Sequence, residues 1–422
     1  MVFSQQQERS WKSRSSFLGA VLCLSVLAFS CNSSGPSGDS GPDPAVCGNE
    51  IGNGMEIVSG PSGPAGSDYD SAFRSLTVHP TNPDIILIGT ERNGFVKSED
   101  GGATWTRLRA GLRHLSGGPS DLYPEIWDIA FDPADPTVIY AATLDSPGPV
   151  TGNYPSSIAG VYKSTDSGAT WSRSNCGLPN SRITSVQVSP DSTATVLIGV
   201  EGGAASFSDP PNPYFDGGIY RSMDGGANWT KASTGDANDV KNGYWRIVSF
   251  GSPSAFMTFG FNYTNTAENA GFLKSTDGGA TWTAFGSLLR TLLITGWNVS
   301  TSGQTIHANP RDSFKIQTSA DGGSTWSELS SQANGPVAIS PANPQIVLFA
   351  GMATLYRSAD GLATSGAVLP AGGTITDIVF APSNPSIVYV ITNGYLLYKS
   401  VDSGATFSLA KNIRSDVLND IP

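Results

Sequence analysis

Histidine is scarce in this chain and positive charge is in short supply. Only three His occur in 422 residues. His79, His114 and His307 are scattered, with none of the spacing that holds a metal. Lys and Arg number 24 against 35 Asp and Glu, a net charge of −11. A nucleic-acid partner needs a basic face, so none is expected. There is no G-x-S-x-G, no H-E-x-x-H and no phosphate-cradling glycine loop, and no cofactor is expected. The apolar run from Phe17 to Phe29 is too short for a spanning helix.

That run instead has the form of a targeting segment. Arg9, Lys12 and Arg14 precede it, as in a signal peptide. It ends Leu27-Ala28-Phe29-Ser30-Cys31, which resembles a bacterial lipobox. The resemblance implies a lipoprotein-type signal peptide at 1–30 and a lipid on Cys31. Residues 31–47, rich in Ser, Gly and Pro, read as a flexible tether. The anchor would hold a monomeric domain to a membrane of the bacterial envelope, outside the cytoplasm, without spanning it. Phe29 is unusual two places before such a Cys, so ordinary cleavage nearby, giving a secreted protein, is the alternative. Of four Cys, Cys23 leaves with the signal and Cys31 takes lipid. Cys47 and Cys176 remain, as a disulfide or as two thiols; spacing does not decide between them.

What the chain has in quantity is glycine, 49 residues, and one stretch repeated seven times. It is centred on Asp100, Asp166, Asp224, Asp277, Asp321, Asp360 and Asp402. A Ser stands two before every Asp. In six copies a Gly stands two after it and an aromatic five after it. The sixth copy departs: Gly361 comes one place early and Ser365 replaces the aromatic. The chemistry is that of a hairpin corner. Ser and Asp side chains accept from turn amides that lack strand partners, and Gly supplies positive φ. The Trp buries a large area on a neighbour. Calcium wants six to eight oxygens and each turn offers a single carboxylate, so these Asp are read as structural and no metal is expected.

The stretch resembles the Asp-box (BNR) repeat, Ser-x-Asp-x-Gly-x-Thr-Trp, of sialidases, sortilin-type VPS10 domains and family-74 xyloglucanases. Most copies follow two apolar runs around a Pro-bounded turn, such as 76–90 and 129–143. Inner strands buried on both faces read this way. The expectation is an all-β, seven-bladed β-propeller of four-stranded blades closed by Asp-box hairpins, occupying 48–422 as one domain. Blades are expected at 73–108, 126–174, 182–232, 243–285, 290–329, 335–369 and 374–410. Residues 48–70 would lie across the barrel edge or add a strand to the last blade.

Function is expected on the rim opposite the boxes, where long aromatic and acidic insertions fall. Ligand candidates are Arg74, Trp127, Arg182, Tyr244, Trp245, Arg246, Tyr263 and Arg290. Aromatics flanked by carboxylates suit sugars, so a glycan-binding module is the first reading; loops packing their own aromatics over the channel mouth is the structural alternative. Four arginines near the mouth resemble a sialidase's carboxylate clamp, but no Arg-Ile-Pro precedes the first box and seven blades exceed the sialidase six. The text HPTNPDIILIGT is similar to family-74 enzymes, which implies a glycoside hydrolase with an acid–base pair among Asp68, Asp70, Glu91 and Glu125. Asp128, Asp145 and Glu201 are further carboxylates in reach, and for Asp128, inside a strand, pairing with a neighbour is the structural alternative. Similarity to Asp-box propellers that assemble membrane complexes implies a protein partner instead.

Overall fold

The computed structural model describes residues 57–59, 73–116, 123–144, 158–201, 203–204, 214–215, 217–232, 244–249, 256–261, 271–285, 294–299, 305–310, 315–330, 333–351 and 353–413. All lie in one compact unit, Gly41–Pro422. Among them are seven four-stranded antiparallel sheets, each drawn from one continuous stretch of chain. The sheets span 73–108, 125–173, 183–231, 244–285, 294–330, 337–370 and 375–412. The first strand of each sheet lies beside the first strand of the next, and that of the seventh returns to that of the first.

Alternating faces explain the order of burial within a sheet. Second strands Ile86–Thr90, Ile139–Leu144, Val196–Val200 and Val388–Thr392 are buried at every position. Both their faces meet neighbouring sheets, so they are apolar throughout rather than alternating. Fourth strands such as Thr106–Leu108 and Ser408–Asn412 are part-exposed. Residues Ile57–Ser59 pair in parallel with His114–Ser116, outside the seventh sheet. These three residues therefore join the linker after the first sheet; the rest of 48–70 lies outside the described residues. A small hairpin, Gly203–Ala204 with Tyr214–Phe215, stands within the third sheet's insertion.

The seven repeated turns share one hydrogen-bond scheme. The Ser hydroxyl donates to the Asp Oδ1 at 2.7–2.9 Å. It also accepts the amide two residues past the Asp at 2.8–2.9 Å. The Asp then accepts the backbone N–H four residues on, at 2.8–2.9 Å. Six Thr hydroxyls reach Oδ2 of the same carboxylate; Asn228 substitutes at Asp224. The Thr hydroxyl, then its amide, hold Asp100, Asp321, Asp360 and Asp402 at a pKa of about 2. At Asp277 burial opposes, and Thr281 still brings the value to about 2. A lowered carboxylate contributes stability above its ordinary value of 3.8, and that contribution is lost as pH falls towards 2.

The aromatics of five turns, Trp105, Trp171, Trp229, Trp282 and Phe407, pack on the preceding sheet. Trp171 stacks on Phe95 at 4.2 Å, and Trp229 and Trp282 are equally buried. Trp105, Trp326 and Phe407 are half-buried. The sixth turn solves the missing aromatic differently. Leu362 occupies the usual Gly position at φ 76° and joins the cluster of Ile316, Val337, Val347 and Phe349. At Gly102, Gly168 and Gly226 the indole of the same turn lies over that glycine, as Trp171 lies over Gly168. With Ser365 in place of Trp the space is open, and burial of the leucine offsets an unfavourable backbone angle.

His307 lies in the fifth sheet's second strand, 2% exposed, and neither ring nitrogen has a hydrogen-bond partner among the described residues. Its register partners are Asn298 and Thr318. Burial alone pushes its pKa from 6.5 to about 4. The unfolded chain therefore binds a proton that the native one refuses, and stability should rise as pH climbs from about 4 to 6.5. His307→Leu should flatten that rise. Urea midpoints of the two proteins at pH 4.5 and 7 test it; equal pH dependence would refute the assignment.

Candidate functional site

The site is built on an irregularity in the first strands. In the first, second, third, fifth and seventh sheets the pairing with the second strand slips by one residue at the same place. The extra residues are Arg74, Trp127, Thr184, Thr295 and Thr376. A bulge of this kind re-aims a side chain and is frequent beside binding sites. Here it brings Arg74 over the Trp127 ring, 5.3 Å from its centroid.

Two carboxylates converge on the same pair. Arg74 Nη2 is 2.6 Å from Glu91 Oε1 and 3.9 Å from Glu125 Oε2. The two oxygens are thus no further apart than the sum of those distances. Glu125 is 4% exposed and accepts the Trp127 indole N–H at 2.8 Å. Arg74, by contrast, is open to solvent on one side. One guanidinium, two carboxylates and one half-buried indole make a compact polar rim around an apolar plate.

A second pair stands on the third sheet. Arg182 grips Glu201 through Nε at 2.8 Å and Nη2 at 2.6 Å. Asn180 donates to the Glu201 carbonyl, fixing the turn that carries it. Arg74 and Arg182, the two candidate arginines whose side chains are described, are therefore already engaged by the chain's own carboxylates. Tyr123, from the acidic and aromatic insertion, packs under Arg109 at 4.7 Å and on His114 at 5.2 Å. This loop packs its own aromatic.

Asp128 is spent on structure. Its Oδ2 accepts the Val186 N–H of the next sheet at 3.0 Å, and its Oδ1 accepts Ile129 N–H. Asp377 does the same between the seventh and first sheets, accepting Leu76 N–H at 3.1 Å. Asp68, Asp70, Asp145, Tyr263, Arg290, Cys31 and Cys47 lie outside the described residues, as do the side chains of Tyr244, Trp245 and Arg246. Among the described residues no three His, Cys, Asp or Glu converge as a metal would require.

No family model matches the chain. Half of it is 26% identical over 225 residues to a xyloglucanase of Hypocrea jecorina (strain QM6a), covering 25% of that enzyme. It is 23% identical over 230 residues to Xyloglucanase Xgh74A of Acetivibrio thermocellus, again a quarter of that protein. Among solved structures, a GH74 xyloglucanase from Xanthomonas campestris superposes with a TM-score of 0.59 at 18% identity. That superposition covers 81% of this chain and 54% of the enzyme. The structure of YCF48 bound to D1 peptide gives 0.53 at 15% identity, covering 81% of this chain and 99% of that one. The fold is a β-propeller. The propeller spans about half the length of the xyloglucanase structure and nearly all of YCF48.

Two recurrent devices of this propeller escaped the reading of its sequence. One is the cation three residues before six of the seven repeated Asp: Lys97, Lys163, Arg221, Lys274, Arg357 and Lys399. Lys163 Nζ donates to Gly225 O at 2.8 Å, Lys97 Nζ to Ser167 O at 3.1 Å and Arg357 Nε to Ser403 O at 3.0 Å. Each ties its turn to the turn of the next sheet. The other is Gly-Leu after a fourth strand, at Gly111-Leu112 and Gly177-Leu178. The residue before each Gly accepts the N–H of the next sheet's Trp, Ala110 from Trp171 and Cys176 from Trp229, at 2.9 and 2.8 Å. Both signals stand in the sequence at fixed offsets from the repeat.

Proposed function

We propose that this protein is a seven-bladed Asp-box propeller, lipid-anchored through Cys31 outside the cytoplasm, that binds a glycan on the rim opposite its repeated turns. The observation that carries the reading is Trp127, whose ring lies beside Arg74, Glu91 and Glu125 at a strand bulge. Sugars present an apolar C–H face and a fringe of hydroxyls, and a plate with charged acceptors and donors at its edge matches both. The partial likeness to xyloglucanases supports a carbohydrate ligand. The seven described sheets, each continuous in sequence, support the blade count.

The test is retention of soluble β-glucans, xyloglucan included, by residues 48–422, followed by titration calorimetry. Trp127→Ala should weaken binding at least about tenfold, the loss typical of an aromatic anchor. Unchanged affinity in that variant would remove the site from consideration.

A second reading, glycoside hydrolysis, is favoured by one observation: Glu91 and Glu125 share a guanidinium and so lie close together. A retaining glycosidase holds its carboxyls ~5–5.5 Å apart. Reducing ends released from xyloglucan, and lost in both Glu91→Gln and Glu125→Gln, would establish that reading. A protein ligand is the third, supported by the near-complete coverage of YCF48 by this single propeller. Retention of no polymer would move it to the front.

A further inference from the structure

Among the described residues, five positions between the fifth and sixth sheets depart from the pattern by which one sheet is fastened to the next. The first is in the first strand, just past the bulge. There Ser75 donates to Ile126 O at 3.0 Å, Asp128 accepts Val186 N–H and Asp377 accepts Leu76 N–H. The fifth sheet has Gly296 at that register position and so has no side chain to offer.

The second lies in the second strand. Tyr140 donates through Oη to Gly225 O at 2.9 Å and Tyr389 to Pro83 O at 3.1 Å. Leu197 and Leu348 at the same position lie against Gly279 and Gly404 of the following turns. In the fifth sheet the position is His307, with both ring nitrogens lacking hydrogen-bond partners among the described residues. A buried polar group without a partner weakens a packed interface.

The third is the cation of the repeated turn. Lys163 pairs in register with Tyr140, and Lys399 with Tyr389. In the fifth sheet the partner of His307 is Thr318, too short and uncharged to reach the next turn. The fourth and fifth are in the sixth sheet's turn. Ser365 is exposed where an aromatic packs backwards elsewhere, and Leu362 holds the left-handed position that glycine holds in the other six.

The seventh-to-first junction has the opposite character. Beyond Asp377 and Tyr389, Lys399 Nζ lies 3.3 Å from Asp84 Oδ1 and Lys411 Nζ donates to Ala103 O at 3.2 Å. Trp105 packs on the seventh sheet's side of that junction.

We propose that the ring of sheets opens between the fifth and sixth sheets, and that the junction of its two chain ends stays shut. This rests on the fastening residues and is independent of what the rim binds. Opening there parts Ile316 and Leu362 and lets the strand ladders flanking the gap open to solvent, a sub-global event of the kind that sets local exchange rates.

Hydrogen exchange read by mass spectrometry on the whole chain tests it. Amides of Val337–Ile339 and Ile306–Ala308 should exchange at least about tenfold faster than those of Ile375–Phe380 and Phe73–Val78. Gly296→Asp, Thr318→Lys and His307→Leu, together and singly, should slow exchange at that junction and leave the seventh-to-first junction unchanged. Equal protection at the two junctions, or faster exchange at the chain-end junction, overturns the proposal. So does a triple variant that slows both alike. The unsubstituted protein supplies the first comparison, so a variant that fails to fold leaves the test intact.

Discussion

Gly111→Ala should cost about 3 kcal/mol or more, the largest stability loss expected from a single added methyl in this chain. Gly111 has φ 82°, and a Cβ built there falls within 3.0 Å of the Trp171 backbone N, C and O. Two penalties add: a left-handed angle for a residue with a Cβ, and a collision with main chain that has no rotamer to change. The clash lies where Trp171 N–H bonds to Ala110 O, so relief by backbone movement would break that link between the first and second sheets. Urea denaturation followed by tryptophan fluorescence measures the loss, with the slope checked for constancy. Gly177→Ala should behave alike, because its Cβ meets the Trp229 backbone in the same way. Gly366→Ala is the control, since nothing lies within 4 Å of its Cβ. A midpoint for Gly111→Ala equal to that of the control would refute the account.

Asp377→Ala should destabilise the protein by about 2–3 kcal/mol, through two amides rather than through charge. Leu76 N–H at 3.1 Å and Ile378 N–H at 2.8 Å both end on this carboxylate, just past the ladder slip of their sheets. Asp377→Asn keeps one oxygen and should lose less. Asp128→Ala makes the parallel deletion between the second and third sheets and should have a similar effect. If Asp377→Ala proves neutral while Asp128→Ala does not, the seventh-to-first junction is held by its other links, and the role given to Asp377 is wrong.

Much of the architecture was legible because the repeat marks it. Each Ser-x-Asp turn fixes the end of a third strand, and the observed sheets begin and end within a few residues of the expected blades. The links between sheets were harder to see. Asp128 stands out as a carboxylate among apolar neighbours and reads either as a catalytic candidate or as a group paired with a neighbour. Only its register, one place past a bulge, reveals that it faces Val186 N–H. The identical text Ile126-x-Asp128-Ile129 and Ile375-x-Asp377-Ile378 was the available clue that the position serves the fold. The rim was legible in composition and opaque in pairing. Arg74, Glu91 and Glu125 are 17 and 34 residues apart in successive steps along the chain, and no local pattern announces that they meet. Two bulges in neighbouring sheets bring Arg74 to Trp127, and bulges leave no mark in hydrophobic alternation that an isolated strand would show.

Among the described residues each four-stranded sheet is completed by neighbours from its own stretch of chain, and none borrows a strand across the junction between the seventh and first. The polypeptide could therefore be re-threaded. A circular permutant that joins the seventh sheet to the first and starts at Ala333 would keep all seven sets of strand pairings and all the side-chain ties at Asp377, Tyr389 and Lys399. Cutting there places the new ends at the junction proposed to open. In such an architecture the order of synthesis is a matter of wiring, and the geometry of the finished ring is indifferent to it.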